Sequence, residues 1–412
     1  MPLRSSLGLG RFLKTKIPTI FGLQKRSPIP IPSPARPPSP YPYLQIKMLM
    51  KEIQLCPIDF KRDELERATK GFTTETCTGG FGCVYKGILS DGKRVAIKIL
   101  GKESRQGERE WMNELRTLTK LRHRNITELV GYCFEDGMML VFHYIPRNLS
   151  DVIFEEIEMI IDWPTRLKII LDIVRGLAYL HEGAEACILH NDIKPNNILL
   201  DENFNAKICD FGLARILQPD CAPSVNKELS TNYGIFLKDA TESDITTYRT
   251  VAGTPGYLDP EYFATGRPSV ESDIYSFGVT LLNIVSRKRA TELTDDLFLT
   301  EHAWRLCEED RLHELIHPRL LNTDGLTNIR SILRTIITAL WCTHKESKRR
   351  PSASRVLIML LSEEKISLPT RPLVPYLDFS CNRATMVSSV SLESELRERS
   401  EFSHRYARCG EL

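Results

Sequence analysis

The chain has 412 residues, 42% of them hydrophobic, which is enough apolar sequence for one large domain or two modest ones with tails. Its 55 basic and 53 acidic residues leave a formal charge of +2, excluding the global excess that draws nucleic acid or an anionic membrane. Eleven cysteines are scattered singly with no CxxC pair, which excludes zinc-finger spacing and favours reduced thiols in a cytosolic protein over a disulfide framework.

The first segment, Met1 to Lys51, carries basic residues and no acidic one. Its run LGLGRFLKTKIPTIFGL has the amphipathic character of an organelle transit peptide without the serine and arginine enrichment. Pro2 stands where N-myristoylation requires glycine, and no stretch reaches the roughly 18 apolar residues of a membrane-spanning helix. Between Pro28 and Pro42 proline recurs at nearly every second position, which blocks helix and ladder hydrogen bonding and predicts an extended spacer. PARP, from Pro34 to Pro37, fits the PxxP pattern of proline-recognition modules, although a plain linker produces the same match. Residues 1–58 are therefore expected to form a basic, proline-rich extension.

Periodic sequence begins at Phe60. The alternating runs CVYKGIL and RVAIKIL, punctuated by Ser90-Asp91-Gly92, predict paired antiparallel strands. Helical periodicity follows over Glu108–Leu121 and Asp162–His181, where Asp162 suits the N-cap and Pro164 the first turn. A strand-rich segment thus precedes a helix-rich one. Beyond Pro369 the sequence is polar and short of core residues, and a mobile tail over 369–412 is expected.

Four constellations carry chemistry. Gly79-Gly80-Phe81-Gly82, between two strand signals, would let backbone amides approach phosphate oxygens, although a glycine-rich hairpin alone is as often a plain turn. Lys98, in Val95-Ala96-Ile97-Lys98, lies on an otherwise buried strand and needs anions, which phosphates and Glu114, 16 residues on, can supply. Taken alone, Glu114 would read as a solvated helix residue. The segment His190 to Asn197 is more informative: Asp192 can accept a hydroxyl proton, Lys194 can meet phosphate, and Asn197 offers an amide oxygen to a metal ion. Asp210-Phe211-Gly212 adds a carboxylate for magnesium, a hard cation that prefers oxygen ligands.

In this order and at these intervals the four resemble the protein-kinase signature set. The resemblance continues through Gly253 to Glu261, Ser272 to Gly278 and Arg350-Pro351-Ser352, and covers roughly 300 residues. FKRDELERATKGF (Phe60–Phe72), GGFGCVYKG, LRHRNITELVGYC and GTPGYLDPEY look like plant receptor-like kinases and their cytoplasmic relatives. It implies an α+β, two-lobed fold over residues 72–368: a small antiparallel-sheet lobe with one major helix (72–145) and a larger, mostly helical lobe (146–368). It also implies transfer of the γ-phosphoryl group of Mg-ATP to protein hydroxyls, with ATP and Mg2+ as cofactors.

By this resemblance Lys98, held by Glu114, positions the α and β phosphates, Asp210 and Asn197 hold magnesium, Asp192 orients the acceptor hydroxyl and Lys194 steadies the phosphoryl group. Gly79, Gly80, Phe81 and Gly82 would cover the phosphates. Val84, Ala96, Tyr144 and Ile145 would border the nucleotide, with the adenine against the linker Phe142–Ile145. Lys194 and Thr254 resemble serine/threonine rather than tyrosine kinases. Glu261 and Arg350 would form a buried ion pair, and Asp273 would brace the catalytic loop. The implied partners are a protein substrate and a membrane receptor or co-receptor, in a cytoplasmic setting that such a receptor would bring to the plasma membrane. No nucleic acid is implied, and oligomeric state is not legible.

Three departures stand out. Cys77 replaces the first loop glycine, Asn191 replaces the arginine before the catalytic aspartate, and the stretch from Asp210 to Glu261 is longer than expected by roughly 20 residues. Losing that arginine removes the cation that would pair with a phosphorylated activation segment, so phosphorylation at Thr246, Thr247 or Thr250 is expected to matter little. Cys209 should face the nucleotide pocket, where alkylation would require a thiolate-favouring environment. The rival reading is a pseudokinase or scaffold. A third is the intracellular remnant of a membrane receptor.

Overall fold

The computed structural model describes residues 57–73, 75–79, 82–100, 105–135, 137–155, 161–217, 251–322 and 326–370. The readings of the transit-like run, the PARP motif, the terminal tail, the extended polar stretch and Thr246, Thr247 and Thr250 lie outside these residues.

The small lobe is a six-stranded sheet. Its strands are β1 (Ile58–Asp59), β2 (Glu75–Gly79), β3 (Gly82–Ile88), β4 (Arg94–Leu100), β5 (Leu129–Cys133) and β6 (Met139–His143), in the order β1-β5-β6-β4-β3-β2. The runs CVYKGIL and RVAIKIL form β3 and β4 and pair antiparallel, as expected. Between them Asp91 Oδ1 accepts the Lys93 N–H at 3.0 Å and Gly92 takes φ +82°, a conformation that glycine adopts without a Cβ penalty. Alternation along β4 sends Val95 and Ile97 into a core with Phe60, Leu65, Met139 and Val141. The opposite face therefore carries Ala96 and Lys98. Register places Val84 across from Lys98 and Phe142 across from Ala96, on that same face.

No strand signal marks β1, the parallel member of this sheet, which pairs Ile58 with Gly131. Its approach is so close that a Cβ on Gly131 would lie 2.3 Å from the Ile58 carbonyl oxygen. Helix α1 (Arg62–Ala68) follows and buries Leu65, and Glu135 accepts from the Arg62 N–H and from Lys61 Nζ at its start. Helix α2 spans Arg105–Leu118, three residues earlier at both ends than the periodicity predicts. After Leu118 the chain tightens into i→i+3 bonds (Lys120 N–H to Thr117 O, Leu121 N–H to Leu118 O), so Leu121 stays buried outside the regular helix.

The large lobe begins with β7 (Arg147–Asn148) and α3 (Leu149–Phe154). In α4 (Trp163–Ala178) the Asp162 carboxylate caps the Thr165 N–H at 3.0 Å with Pro164 in the first turn, as the sequence predicts, and the helix runs on as a π turn over Tyr179–Gly183. Short strands β8 (Cys187–Leu189), β9 (Ile198–Leu200), β10 (Ala206–Ile208) and β11 (Arg215–Leu217) carry the loops of the cleft. The remaining body is helical: α5 (Pro260–Thr265), α6 (Val270–Ser286), α7 (Leu299–Glu308), α8 (Pro318–Asn322), α9 (Leu326–Cys342) and α10 (Ala353–Leu361). The result is the two-lobed α+β architecture that the motifs imply. Among the described residues no helix is long and apolar enough to cross a membrane.

Helix α6 is buried on every side from Ser272 to Ser286 and packs on the end of α9 through Gly278. A Cβ there would lie 2.7 Å from Cys342 Cβ and 2.8 Å from Thr343 Cγ2. The intrinsic helix gain of Gly278→Ala, about 1 kcal/mol, is opposed by overpacking of about 1–3 kcal/mol. A net loss of stability is expected in urea denaturation, and a more stable variant would show that the two helices separate freely.

Candidate active site

The centre of the cleft is an ion triad drawn from three elements. Strand β4 supplies Lys98, α2 supplies Glu114 and the loop after β10 supplies Asp210. Lys98 Nζ donates to Glu114 Oε2 at 2.7 Å and to Asp210 Oδ1 at 2.8 Å. Side-chain exposures of 15% for Lys98, 2% for Glu114 and 29% for Asp210 mean that only the last keeps substantial contact with solvent. Burial alone would lower the lysine pKa, but Asp210 and Glu114 outweigh it and hold the ammonium well above its ordinary range. Burial pushes the Glu114 carboxyl up against the pull of Lys98, whereas at Asp210 burial is overcome by Lys98 and the carboxyl titrates below its usual range. Asp210 holds this position with φ +67°. Phe211, next in sequence, is fully buried and meets the His190 ring edge-on at 4.9 Å.

A second cluster sits on the loop between β8 and β9. Asp192 Oδ2 accepts from Asn197 Nδ2 at 2.8 Å and lies 3.0 Å from Lys194 Nζ, while its Oδ1 accepts from Thr254 Oγ1 at 2.6 Å. Lys194 Nζ donates to the same Thr254 hydroxyl at 2.6 Å. Thr254, read from sequence only as a marker of subtype, therefore joins the aspartate to the lysine. His190 supports the loop as the Nε2–H tautomer, since Nδ1 accepts the Asp192 N–H (3.2 Å) and leaves Nε2 to donate to the Cys209 carbonyl (3.0 Å).

Asp273, on α6, braces this loop. Its Oδ2 accepts from the His190 N–H (2.8 Å) and His181 Nε2 (2.9 Å), and its Oδ1 from the Asn191 N–H (2.7 Å). Burial opposes its ionisation, yet the hydrogen bond from His181 and the loop amide hold the carboxyl below its ordinary range.

Of the other expected positions, Gly79 and Gly82 face each other across the β2–β3 hairpin, whereas Gly80 and Phe81 lie outside the described residues. Val84 and Ala96 share the Lys98 face of the sheet. Tyr144 and Ile145 follow β6 in the linker, where the Tyr144 N–H donates to the Arg94 carbonyl and Lys86 Nζ lies 4.5 Å from the Tyr144 ring centroid.

One expectation is corrected. Arg350 pairs with Asp259 at 2.8 Å, both fully buried, and not with Glu261. Asp259 is the N-cap of α5, accepting the Glu261 N–H, so its short side chain points into the lobe while Glu261 turns to solvent. The Cys209 thiol is pushed far above its ordinary range by burial and by Asp210, so the thiolate that alkylation needs is disfavoured. The residue that sequence reasoning missed is Asn113, one position before Glu114, whose amide contacts the backbone after Asp210. No motif marked it.

The donor set suits a divalent ion of the hard type. It offers oxygen from Asp210 and Asn197, and among the described residues no cluster of three or more His, Cys, Asp or Glu side chains could cage an ion. Such a site needs phosphate oxygens and water to complete its coordination, which is how magnesium is usually held.

Residues 74–360 match the model of the protein kinase domain. The chain belongs to the protein kinase family. Among curated proteins this kinase is 35% identical to Cysteine-rich receptor-like protein kinase 44 of Arabidopsis thaliana, over 79% of this chain and 81% of that protein. It is 35% identical to Cysteine-rich receptor-like protein kinase 41 of the same plant, over 80% of this chain but 47% of that one. For G-type lectin S-receptor-like serine/threonine-protein kinase B120 the identity is 39%, over 76% and 35%. The kinase thus groups with plant receptor-like kinases and spans about half or less of the length of the latter two relatives.

Replacing Asp273 with asparagine in this kinase removes a charged acceptor of three hydrogen bonds, and a loss of about 1.5–3 kcal/mol is expected at neutral pH. Because the folded carboxyl titrates below its unfolded value, the contribution is complete above that value and is lost as pH falls through the folded one. Denaturation of both proteins should therefore show a gap that narrows below about pH 4. A gap independent of pH would refute the assignment.

Proposed function

We propose that the protein is a serine/threonine kinase that transfers the γ-phosphoryl group of Mg-ATP to protein hydroxyls in receptor-linked signalling. The observation that carries the reading is a pair of polar clusters, Lys98 with Glu114 and Asp210, and Asp192 with Asn197 and Lys194, on loops joined through Cys209, whose N–H donates to the Asn197 carbonyl and whose carbonyl accepts from His190 Nε2. Bound there, magnesium would neutralise and bridge phosphate oxygens. Asp210 and Asn197 are the residues that would hold it.

Lys98 keeps its charge because two carboxylates flank it, and it is the cation suited to the α and β phosphates. Asp192 orients the acceptor alcohol and takes its proton, with the carboxylate steered by Thr254 and Asn197. Lys194, which donates to the same hydroxyl, is the cation suited to steady the transferring phosphoryl group. Little covalent chemistry is asked of these groups. Positioning and electrostatic stabilisation supply the rate. Gly79 and Gly82, paired at the end of β2 and β3, are the glycines suited to the phosphates, and Val84, Ala96, Tyr144 and Ile145 are the residues suited to border the base.

The rival, a pseudokinase or scaffold, draws on Cys77 in the glycine loop and on the lengthened stretch between Asp210 and Glu261. Against it stands the complete set of polar groups, which a pure scaffold does not need. The deciding experiment incubates the chain with Mg-ATP and a generic serine/threonine substrate beside Asp192→Asn. Transfer should fall by about 10²–10⁴-fold in the variant while nucleotide binding survives. Equal incorporation by both proteins would refute an enzymatic role for Asp192, and none by either would favour the scaffold.

Asn191 bears on regulation. Its Nδ2 donates to the Leu213 carbonyl at 2.8 Å, and an uncharged amide offers no cation to a phosphate. Simultaneous replacement of Thr246, Thr247 and Thr250 by alanine is expected to change kcat by less than about threefold, since no arginine stands here to receive a phosphate. A loss of a hundredfold would contradict this.

A further inference from the structure

The backbone after Asp210 is held by two asparagine side chains from opposite lobes. From α2, Asn113 Nδ2 lies 2.8 Å from the Gly212 carbonyl, 2.6 Å from that of Ala214 and 3.3 Å from that of Phe211. From the loop below, Asn191 Nδ2 donates to the Leu213 carbonyl at 2.8 Å. Four successive carbonyls thus face side-chain amides, in a stretch whose one internal backbone bond is the turn from the Ala214 N–H to Phe211 O. A carboxamide has two N–H hydrogens, so Asn113 satisfies Gly212 and Ala214 fully and Phe211 only by sharing.

This arrangement closes a ring. Glu114 holds Lys98 and Lys98 holds Asp210, while Asn113, the adjacent residue on the same helix, holds the segment that leaves Asp210. Asp210 sits at φ +67°, a conformation that persists only where neighbours impose it. Its side chain is fixed on one side by the ammonium, and its backbone on the other by the carboxamide. The side-chain bond to Lys98 cannot by itself set the φ of Asp210. The turn that follows can.

We propose that Asn113 is a positioning residue, whose amide fastens residues 211–214 to α2 so that the Asp210 carboxylate is presented to the divalent metal of the nucleotide. The inference rests on the kinase reading of the cleft. It predicts that Asn113 governs the metal dependence of binding more than binding itself. A residue that merely braced the fold would weaken all binding together.

The test compares the full chain with Asn113→Asp, which keeps shape and removes both donors, and Asn113→Ala, which removes them without adding charge. In hydrogen exchange without nucleotide, amides of 210–217 should exchange about tenfold faster or more in both variants, as expected for losing one to two hydrogen bonds, with those of α6 unchanged. In titrations of ADP binding with MgCl2, the metal concentration giving half the full enhancement should rise about tenfold, with metal-free ADP affinity held within about twofold. Exchange at wild-type rates in the variant that folds would overturn the proposal, as would faster exchange with an unchanged metal requirement. A wild-type chain that binds ADP no better with MgCl2 than without would instead defeat the reading of the cleft, and the inference with it.

Discussion

The cleft depends on one lysine kept charged in a place where an unpaired ammonium would be intolerable. Lys98 is buried beside two carboxylates that come from different elements, so the ion triad fixes strand β4, helix α2 and the loop after β10 relative to one another. Removing Lys98 leaves two carboxylates uncompensated in a poorly solvated site, at a cost of about 3–5 kcal/mol. A purely stabilising device would be better served by apolar side chains. Three ionised groups here fix the geometry of the cleft and suit it to a charged ligand.

The large lobe contributes rigidity of a different kind. Asp273 reaches from the fully buried α6 to two successive backbone amides of the loop that carries Asp192, and Arg350 ties Asp259, at the start of α5, to carbonyls of His344 and Glu271. Both are buried charges satisfied by several partners, the condition under which such groups hold a geometry. The loop's own side chains are then free for chemistry, because its backbone is anchored from behind.

Much of this was legible in the sequence, and the reasons for the rest are physical. Lys98, Asp192, Asn197 and Asp210 could be picked out because each belongs to a short local pattern, Glu114 only through its place 16 residues after Lys98 in the family resemblance, and Asp162 because a cap and a proline lie two residues apart. Asp259 was passed over for Glu261, since a pairing across 91 residues is decided by which carboxylate points inward at a helix start, and spacing does not encode that. Strand β1 was missed because two residues carry no period, and its signal is the glycine at 131 that makes room for it. Asn113 left no trace because its partners are backbone carbonyls, which every residue possesses.

The balance of charge in the cleft explains why a metal belongs to the proposed ligand and is no accessory. Of the two cations, Lys98 lies within hydrogen-bonding distance of Glu114 and Asp210, and Lys194 of Asp192, so three carboxylates face two ammonium groups. A bare triphosphate would meet Asp210 and Asp192 as like charges in a site that screens poorly, and the two lysines are already engaged with those same carboxylates. A divalent ion held by Asp210 would supply positive charge to that encounter and would leave Lys98 to meet the phosphates. On the proposed reading, affinity for the nucleotide would be coupled to affinity for the metal through Asp210, whose side chain is held by Lys98 and whose following backbone is held by Asn113.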